Sequence, residues 1–264
     1  MNEESHAMGP PMTLFAEVYG SGPPLIILHG LFGSHDNWHT MSKRFGEGNR
    51  VFALDQRNHG RSPHSDVFTY DAMREDLHTF YVEKGLSRAA LLGHSMGGKT
   101  AMEFALAYPD MVEKLVVVDI APRAYPPHHD DLLKALGALD LTNYGTRREV
   151  EDALGGSIPS VPVRMFLMKN LKRSEDGRFS WKMNLAAIRA NYDEVHRAVA
   201  GGRVFPHPAL FIRAQWAAYI SDEDTDDIRA LFPRARIATI DAGHWVHAEA
   251  PEPFFRTVRQ FLDE

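Results

Sequence analysis

The 264-residue chain contains no cysteine, which excludes a disulfide framework, a zinc–thiolate centre and a cysteine nucleophile. It also lacks any run of about eighteen apolar residues, the length a membrane-spanning helix needs. No basic region followed by an apolar core opens the chain, so no secretory signal is read there, and residues 1–11 read as a flexible tail. Positive charge is not in excess. The 29 Lys and Arg stand against 35 Asp and Glu, for a formal net charge of -6, which argues against nucleic acid or an anionic membrane as a partner. No internal repeat or low-complexity tract is present. A cytoplasmic protein is the expectation, monomer or homodimer, with a small molecule as its partner.

What the chain does have is enough apolar side chain, 44% of residues, for one sizeable core. Short runs of Val, Ile, Leu and Ala at 25–28, 51–54, 89–92, 115–118, 209–212 and 236–240 are continuous rather than alternating. That is the pattern of parallel strands covered on both faces. Helical periodicity at 70–84, 96–108, 224–231 and 251–262 separates them, and 12–19 adds an antiparallel edge strand. An α/β fold with a mostly parallel central sheet flanked by helices follows. The alternation stops between about 122 and 208, where helices are expected at 132–139, 147–154, 163–171 and 185–199 and no strand of comparable quality occurs. We therefore divide the chain into a core, 1–121 and 206–264, and a helical cap, 122–205. Such a cap covers the C-terminal ends of the strands, where ligands bind in open α/β sheets.

The segment Gly93-His94-Ser95-Met96-Gly97 fits G-x-S-x-G between an expected strand and an expected helix. A serine exposed on so tight a turn has a strained backbone, and side chains two positions away on either side would clash. Ser95 is thus a candidate nucleophile, with helix N-terminal amides near any oxyanion it creates. Its base is sought among 14 histidines. His244 lies just past the last expected strand, where a loop returns to the sheet's C-terminal edge, and serine before histidine is the expected chain order. His247 reads as structural. A backbone N–H of Leu31 or Phe32, together with that of Met96, supplies an oxyanion hole. His29 reads as a buried brace of that loop, or alternatively as another base. Asp119 stands at the C-terminal end of the 115–118 strand, placed to be the third member or a loop cap. Asp222 and Asp224 read as helix-capping residues.

Together with Asp36-Asn37-Trp38, Asp55-Gln56-Arg57-Asn58-His59-Gly60-Arg61-Ser62, Asp119-Ile120-Ala121-Pro122 and Gly243-His244-Trp245-Val246-His247, these motifs cover most of the core in order. They resemble the small bacterial esterases and thioesterases of the α/β-hydrolase superfamily, a group related to mitochondrial abhydrolase-domain proteins. The resemblance implies an α/β-hydrolase fold with a helical cap inserted after the sixth strand, and a triad acid after that strand, at Asp119. It implies double displacement on a carboxylic ester or thioester of a small to medium acyl group, with no metal or organic cofactor. His29, Trp38, His94, Trp216 and Trp245 are the implied substrate-binding residues. The chain departs from the group at Ala214-Gln215-Trp216-Ala217, where glycines and a serine are usual; there Trp216 lines the pocket or packs under the cap. The 55–62 segment is expected to lock loops by hydrogen bonds rather than to act as a cation site. Met165, Phe166, Met168, Trp181 and Met183 read equally as acyl contacts and as cap core. The same residues would also serve acyl transfer, perhydrolysis or C–C hydrolysis. A ligand-binding protein on a hydrolase scaffold is the competing class.

Overall fold

The computed structural model describes residues 9–199 and 202–264; most of the expected N-terminal tail, residues 1–8, lies outside them. The chain runs through β1 (Ala16–Tyr19), β2 (Pro24–Leu28), α1 (His39–Phe45), β3 (Arg50–Leu54), α2 (Tyr70–Glu83), β4 (Ala89–His94), α3 (Met96–Ala107) and β5 (Val112–Val118). An insertion follows, with α4 (Asp130–Ala138), α5 (Arg147–Gly155), α6 (Val161–Met168), β6 (Leu171–Arg173), β7 (Phe179–Trp181), α7 (Leu185–Ala190) and α8 (Tyr192–His196). The chain then resumes with β8 (Ala209–Ala214), α9 (Asp224–Leu231), β9 (Ala235–Ile240), α10 (Val246–Glu249) and α11 (Pro251–Asp263). Seven strands form one sheet in the order β1-β3-β2-β4-β5-β8-β9. In it β1 pairs antiparallel, at the edge expected for it, and the other pairings are parallel.

Continuous apolar runs make sense in this geometry because successive side chains enter opposite cores. Ile26, Leu28, Leu91, Leu115 and Val117 face one layer, with α2 and α3. Leu25, Ile27, Leu92, Val116 and Val118 face the other, with Met41 and Phe45 of α1 and Phe254, Val258 and Phe261 of α11. Burying such a side chain fully contributes about 1.5–3 kcal/mol. The chain places β3 on one side of β2 and β4 on the other. The crevice at the C-terminal ends of β2 and β4 is therefore a topological switch point, where open α/β sheets bind ligands.

The insertion leaves the sheet after the strand ending at Val118, as expected; counted along this chain that strand is the fifth rather than the sixth. Three details differ from expectation. A short antiparallel hairpin, β6 with β7, sits among the helices, and Gly177, at φ 84°, makes its turn. The stretch expected as one helix over 185–199 is two short ones, broken at Asn191. The Asn191 side chain donates to the Ala187 carbonyl and to that of Asp66 in the core. Helix α1 has no counterpart among the expected elements.

Polar contacts tie the insertion to the core. Lys99, on the buried helix α3, donates to the carbonyls of His196 and Arg197 and lies near the rings of Tyr70 and Tyr125. Burial, with the nearby Arg197 and Arg123 charges, pushes the Lys99 ammonium down to about 7. Between there and the ordinary lysine value of about 10.4 the unfolded chain therefore binds the extra proton, and stability attributable to Lys99 rises with pH across that window. Urea unfolding of the parent and of Lys99→Met at pH 7 and pH 9.5 tests this. The stability difference should shift in the parent's favour at the higher pH; a constant difference would refute it.

Candidate active site

Ser95 sits between β4 and α3 with φ 53° and ψ -119°, a conformation that L-residues avoid. The flanking glycines are sterically required. A Cβ on Gly93 would lie 2.2 Å from the Gly97 carbonyl oxygen, and one on Gly97 would lie 2.5 Å from that of His29. The Ser95 amide donates to the Val118 carbonyl, so the turn is fixed from the neighbouring strand. Among the described residues no hydrogen bond engages the Ser95 hydroxyl, which leaves it able to turn toward an imidazole or a ligand.

His244 and Asp119 meet across 125 positions of sequence, with His244 Nδ1 2.7 Å from Asp119 Oδ2. Asp119 is fully buried and takes φ 50° at the end of β5. Its other oxygen accepts the Ala214 amide at 3.0 Å. Burial pushes the Asp119 carboxyl up, and the Ala214 bond opposes that shift. Burial likewise pushes the His244 imidazole down, with the His128 charge adding to it. His244 is thus neutral at neutral pH and able to accept a proton. Its ring packs on Tyr219, stacked at 4.0 Å, and against His94 at 4.6 Å. The loop carrying it is held by Glu249, whose carboxylate accepts the amides of Gly243 and Trp245 on either side.

The turn after β2 decides which amides are left for an oxyanion. Phe32, at φ 59°, donates its amide to His59 Nε2 at 3.2 Å, while its carbonyl accepts from Asn170 Nδ2 at 2.6 Å. Burial pushes His59 down to about 3, and its Nδ1 lies 3.0 Å from the Arg57 carbonyl, so Nε2 is the acceptor. Phe32 is therefore corrected as an oxyanion donor, because its N–H is already engaged. The Leu31 amide has no such partner among the described residues. Met96 heads α3, where first-turn amides lack acceptors within the helix.

Two cavities adjoin Ser95. The larger, about 490 Å³, is walled by Leu132, Val163, Phe166, Trp245 and His244 among others. A smaller one of about 20 Å³ is bounded by Leu31, Ser95, Met96 and a group of histidines. Of the expected substrate-binding residues, His29, Trp38, His94 and Trp245 line the large cavity. His29 is also the expected brace, its Nε2 accepting the Gln56 amide, and His94 Nε2 bonds the His244 carbonyl at 2.9 Å. Trp216 is the second correction. It is 71% exposed, lines neither cavity, and donates its indole N–H to Asp241. The backbone explains this: Gln215 and Trp216 continue the ladder toward Ile240 and Ala242, which turns the indole outward.

Other expectations resolve similarly. His247 is buried and stacked on Trp38 at 4.1 Å. Asp222 pairs with Arg213, and Asp224 with Arg123 and the Ser221 amide. Met165 and Phe166 line the large cavity, whereas Met168, Trp181 and Met183 belong to the insertion's core. The 55–62 segment does lock loops: Asp55 accepts the His35 and Arg61 amides, and Arg57 is bidentate to Asp76.

The family model described as alpha/beta hydrolase fold matches residues 23–251. The chain belongs to the α/β-hydrolase family. It is 37% identical to sn-1-specific diacylglycerol lipase ABHD11 of Danio rerio, over 98% of this chain and 85% of that one. It is 34% identical to Esterase YbfF of Escherichia coli (strain K12), over 90% and 92%. Among solved structures, a marine microorganism esterase superposes with a TM-score of 0.92 at 43% identity, covering 95% of this chain and 99% of its own. Bacterial esterases and abhydrolase-domain proteins, the two sides of the resemblance carried by the motifs, are thus both among its relatives. Tyr219, Glu249 and Asn170 carry no sequence signal as site residues, since each acts through a contact that only the fold creates, and His59, though part of the 55–62 motif, meets Phe32 only in the folded chain. No helix among the described residues is long and apolar enough to cross a membrane.

Proposed function

We propose that this α/β hydrolase cleaves carboxylic esters, and thioesters by the same route, through an acyl-enzyme on Ser95. The observation that carries this is a strained serine at the switch point, sharing a cavity with an imidazole held by a buried carboxylate. His244 Nε2 takes the Ser95 proton as Oγ attacks the acyl carbon, and Asp119 accepts from Nδ1–H, fixing the tautomer and stabilising the imidazolium. The Leu31 and Met96 amides receive the carbonyl oxygen; one such donor is worth about 3–4 kcal/mol in the transition state. His244 then gives its proton to the leaving oxygen or sulfur, and water repeats the sequence to release the acid. No step in this scheme calls on a metal or organic cofactor. Residues 122–205 act as the cap over a core of 1–121 and 206–264. The esterase and lipase names of its relatives support the ester bond as the target. Cytoplasmic location and a monomeric or dimeric state complete the proposal.

A fluorophosphonate probe tests it directly, because such a reagent marks an activated serine. Peptide mapping should place the label on Ser95, with labelling slowed by a competing ester. A label elsewhere, or none, would overturn the assignment.

A further inference from the structure

The turn that carries the Leu31 amide is held from two sides, and one of them belongs to the insertion. The Gly33 amide donates to the Gly30 carbonyl at 2.9 Å, which closes a turn with Leu31 and Phe32 as its central residues. Phe32, the second of them, has φ 59°. Turns with positive φ at that position ordinarily take glycine, and a bulky residue stays there only where its surroundings over-determine it. From the core, His59 Nε2 accepts the Phe32 amide at 3.2 Å. From the insertion, Asn170 Nδ2 donates to the Phe32 carbonyl at 2.6 Å. The peptide groups on both sides of Phe32 are thereby fixed. Its ring is buried and edge-on to that of His129, at 6.0 Å.

Asn170 is itself pinned. It is 2% exposed and lies two residues past the end of α6. Its amide donates to the Leu167 carbonyl at 2.9 Å, and its carbonyl accepts the Lys182 amide at 2.7 Å from the end of the hairpin. Helix α6 in turn supplies Val163, Phe166 and Leu167 to the wall of the large cavity. The Asn170 carboxamide therefore goes where α6 and the hairpin go. A second tie runs alongside: the Asn184 amide donates to the Asn58 carbonyl at 2.8 Å, next to the histidine that holds the Phe32 amide.

An oxyanion donor acts when it lies about 2.7–3.1 Å from the developing charge, and removing one lowers kcat by roughly 10²–10³. Releasing the Phe32 carbonyl lets Phe32 relax toward negative φ. That relaxation rotates the Leu31-Phe32 peptide and displaces the Leu31 amide from the oxyanion. The loss falls on the transition state, where the oxygen is charged, far more than on the bound ester.

We propose that Asn170 is a positioning residue for the oxyanion hole: by holding the Phe32 carbonyl, the insertion completes the catalytic geometry as well as covering the site. This rests on the Ser95 mechanism above, with the Leu31 amide as a donor.

Asn170→Leu and Asn170→Asp test it, since both side chains are close to asparagine in size. Turnover of p-nitrophenyl acetate is divided by the number of Ser95 sites that a fluorophosphonate labels at completion, which removes any misfolded fraction. Asn170→Leu should lower kcat by about 10–100-fold and leave KM within about twofold of the parent. Asn170→Asp should do the same at pH 8.5, where a carboxylate facing the Phe32 carbonyl has no hydrogen to give. At pH 5.5 burial favours the protonated carboxyl, whose O–H donates to that carbonyl. Its kcat relative to the parent should then recover severalfold, while that of Asn170→Leu stays low. Taking the ratio at each pH cancels the titration of His244. His59 and His129, the imidazoles against Phe32, are held by burial at about 3 and stay neutral throughout, and Lys169 and Lys182 are common to all three proteins. Each variant decides alone if the other fails to fold. Parental kcat in either, a loss confined to KM, or an Asn170→Asp deficit that ignores pH would overturn the role of Asn170. Full activity in Ser95→Ala would instead overturn the mechanism on which it rests.

Discussion

Ser95→Ala should lower kcat on p-nitrophenyl acetate by at least about 10⁴-fold, and His244→Ala by a similar factor. Alanine fits the strained turn as well as serine does, since the steric restriction falls on Gly93 and Gly97, so the fold should be undisturbed. Activity is lost because the attacking oxygen is gone, while the Leu31 and Met96 amides and the cavity remain to give a small residual rate. The double variant should be scarcely worse than either single one, as residues acting on one proton transfer are not additive. Asp119→Asn leaves the geometry in place but offers His244 Nδ1 an amide, which favours the wrong tautomer. Its rate should also fall, by roughly 10⁴-fold. The measurement is kcat for the three singles and the Ser95/His244 double, from p-nitrophenol release. A Ser95→Ala rate within about tenfold of the parent, or single effects that multiply in the double, would dismantle this catalytic unit.

Those three residues are legible in the sequence because each carries a local signature. Ser95 has its glycines, His244 follows the last apolar run, and Asp119 ends another. The strands are legible for a related reason. A run such as 25–28 is apolar throughout, too short for a helix, and closed by His29-Gly30, which marks a strand buried on both faces. What escapes the sequence depends on contacts between distant segments. Whether Leu31 or Phe32 faces an oxyanion is decided by His59, 27 positions from Phe32. Trp216 turns outward because its backbone pairs with Ala242, and no local pattern encodes that pairing. The hairpin in the insertion has strands of three residues each, too short for alternation to register. Helix α1 covers seven residues and buries Met41 and Phe45 against α11, a face that becomes apolar only once its partner is known.

Arg57→Met should cost about 3–5 kcal/mol of stability, a large part of the roughly 5–15 kcal/mol typical of a folded protein. Arg57 and Asp76 are both fully buried, and the guanidinium meets the carboxylate at 2.6 and 2.7 Å. Removing the arginine leaves Asp76 with the Met12 amide and an unpaired charge in the core. Burial already pushes the Asp76 carboxyl up, with Arg57 opposing. Without that opposition the protonated form is favoured further. A carboxyl raised in the folded state imposes its full cost above its folded value and loses it as pH falls from there toward its unfolded value. The variant's deficit should therefore shrink as pH falls from 7 to 5. Arg57→Met with Asp76→Leu removes both charges and should recover most of the loss. Urea unfolding of the two variants at both pH values is the check; a single variant within about 1 kcal/mol of the parent, or a deficit that grows on acidification, would refute the account. The consequence reaches the site through the residues next in sequence. The Asn58 carbonyl accepts the Asn184 amide from the insertion, and His59 holds Phe32. An Arg57 variant that still folds should therefore lose kcat as well as stability, because the turn presenting the Leu31 amide depends on the segment that Arg57 anchors.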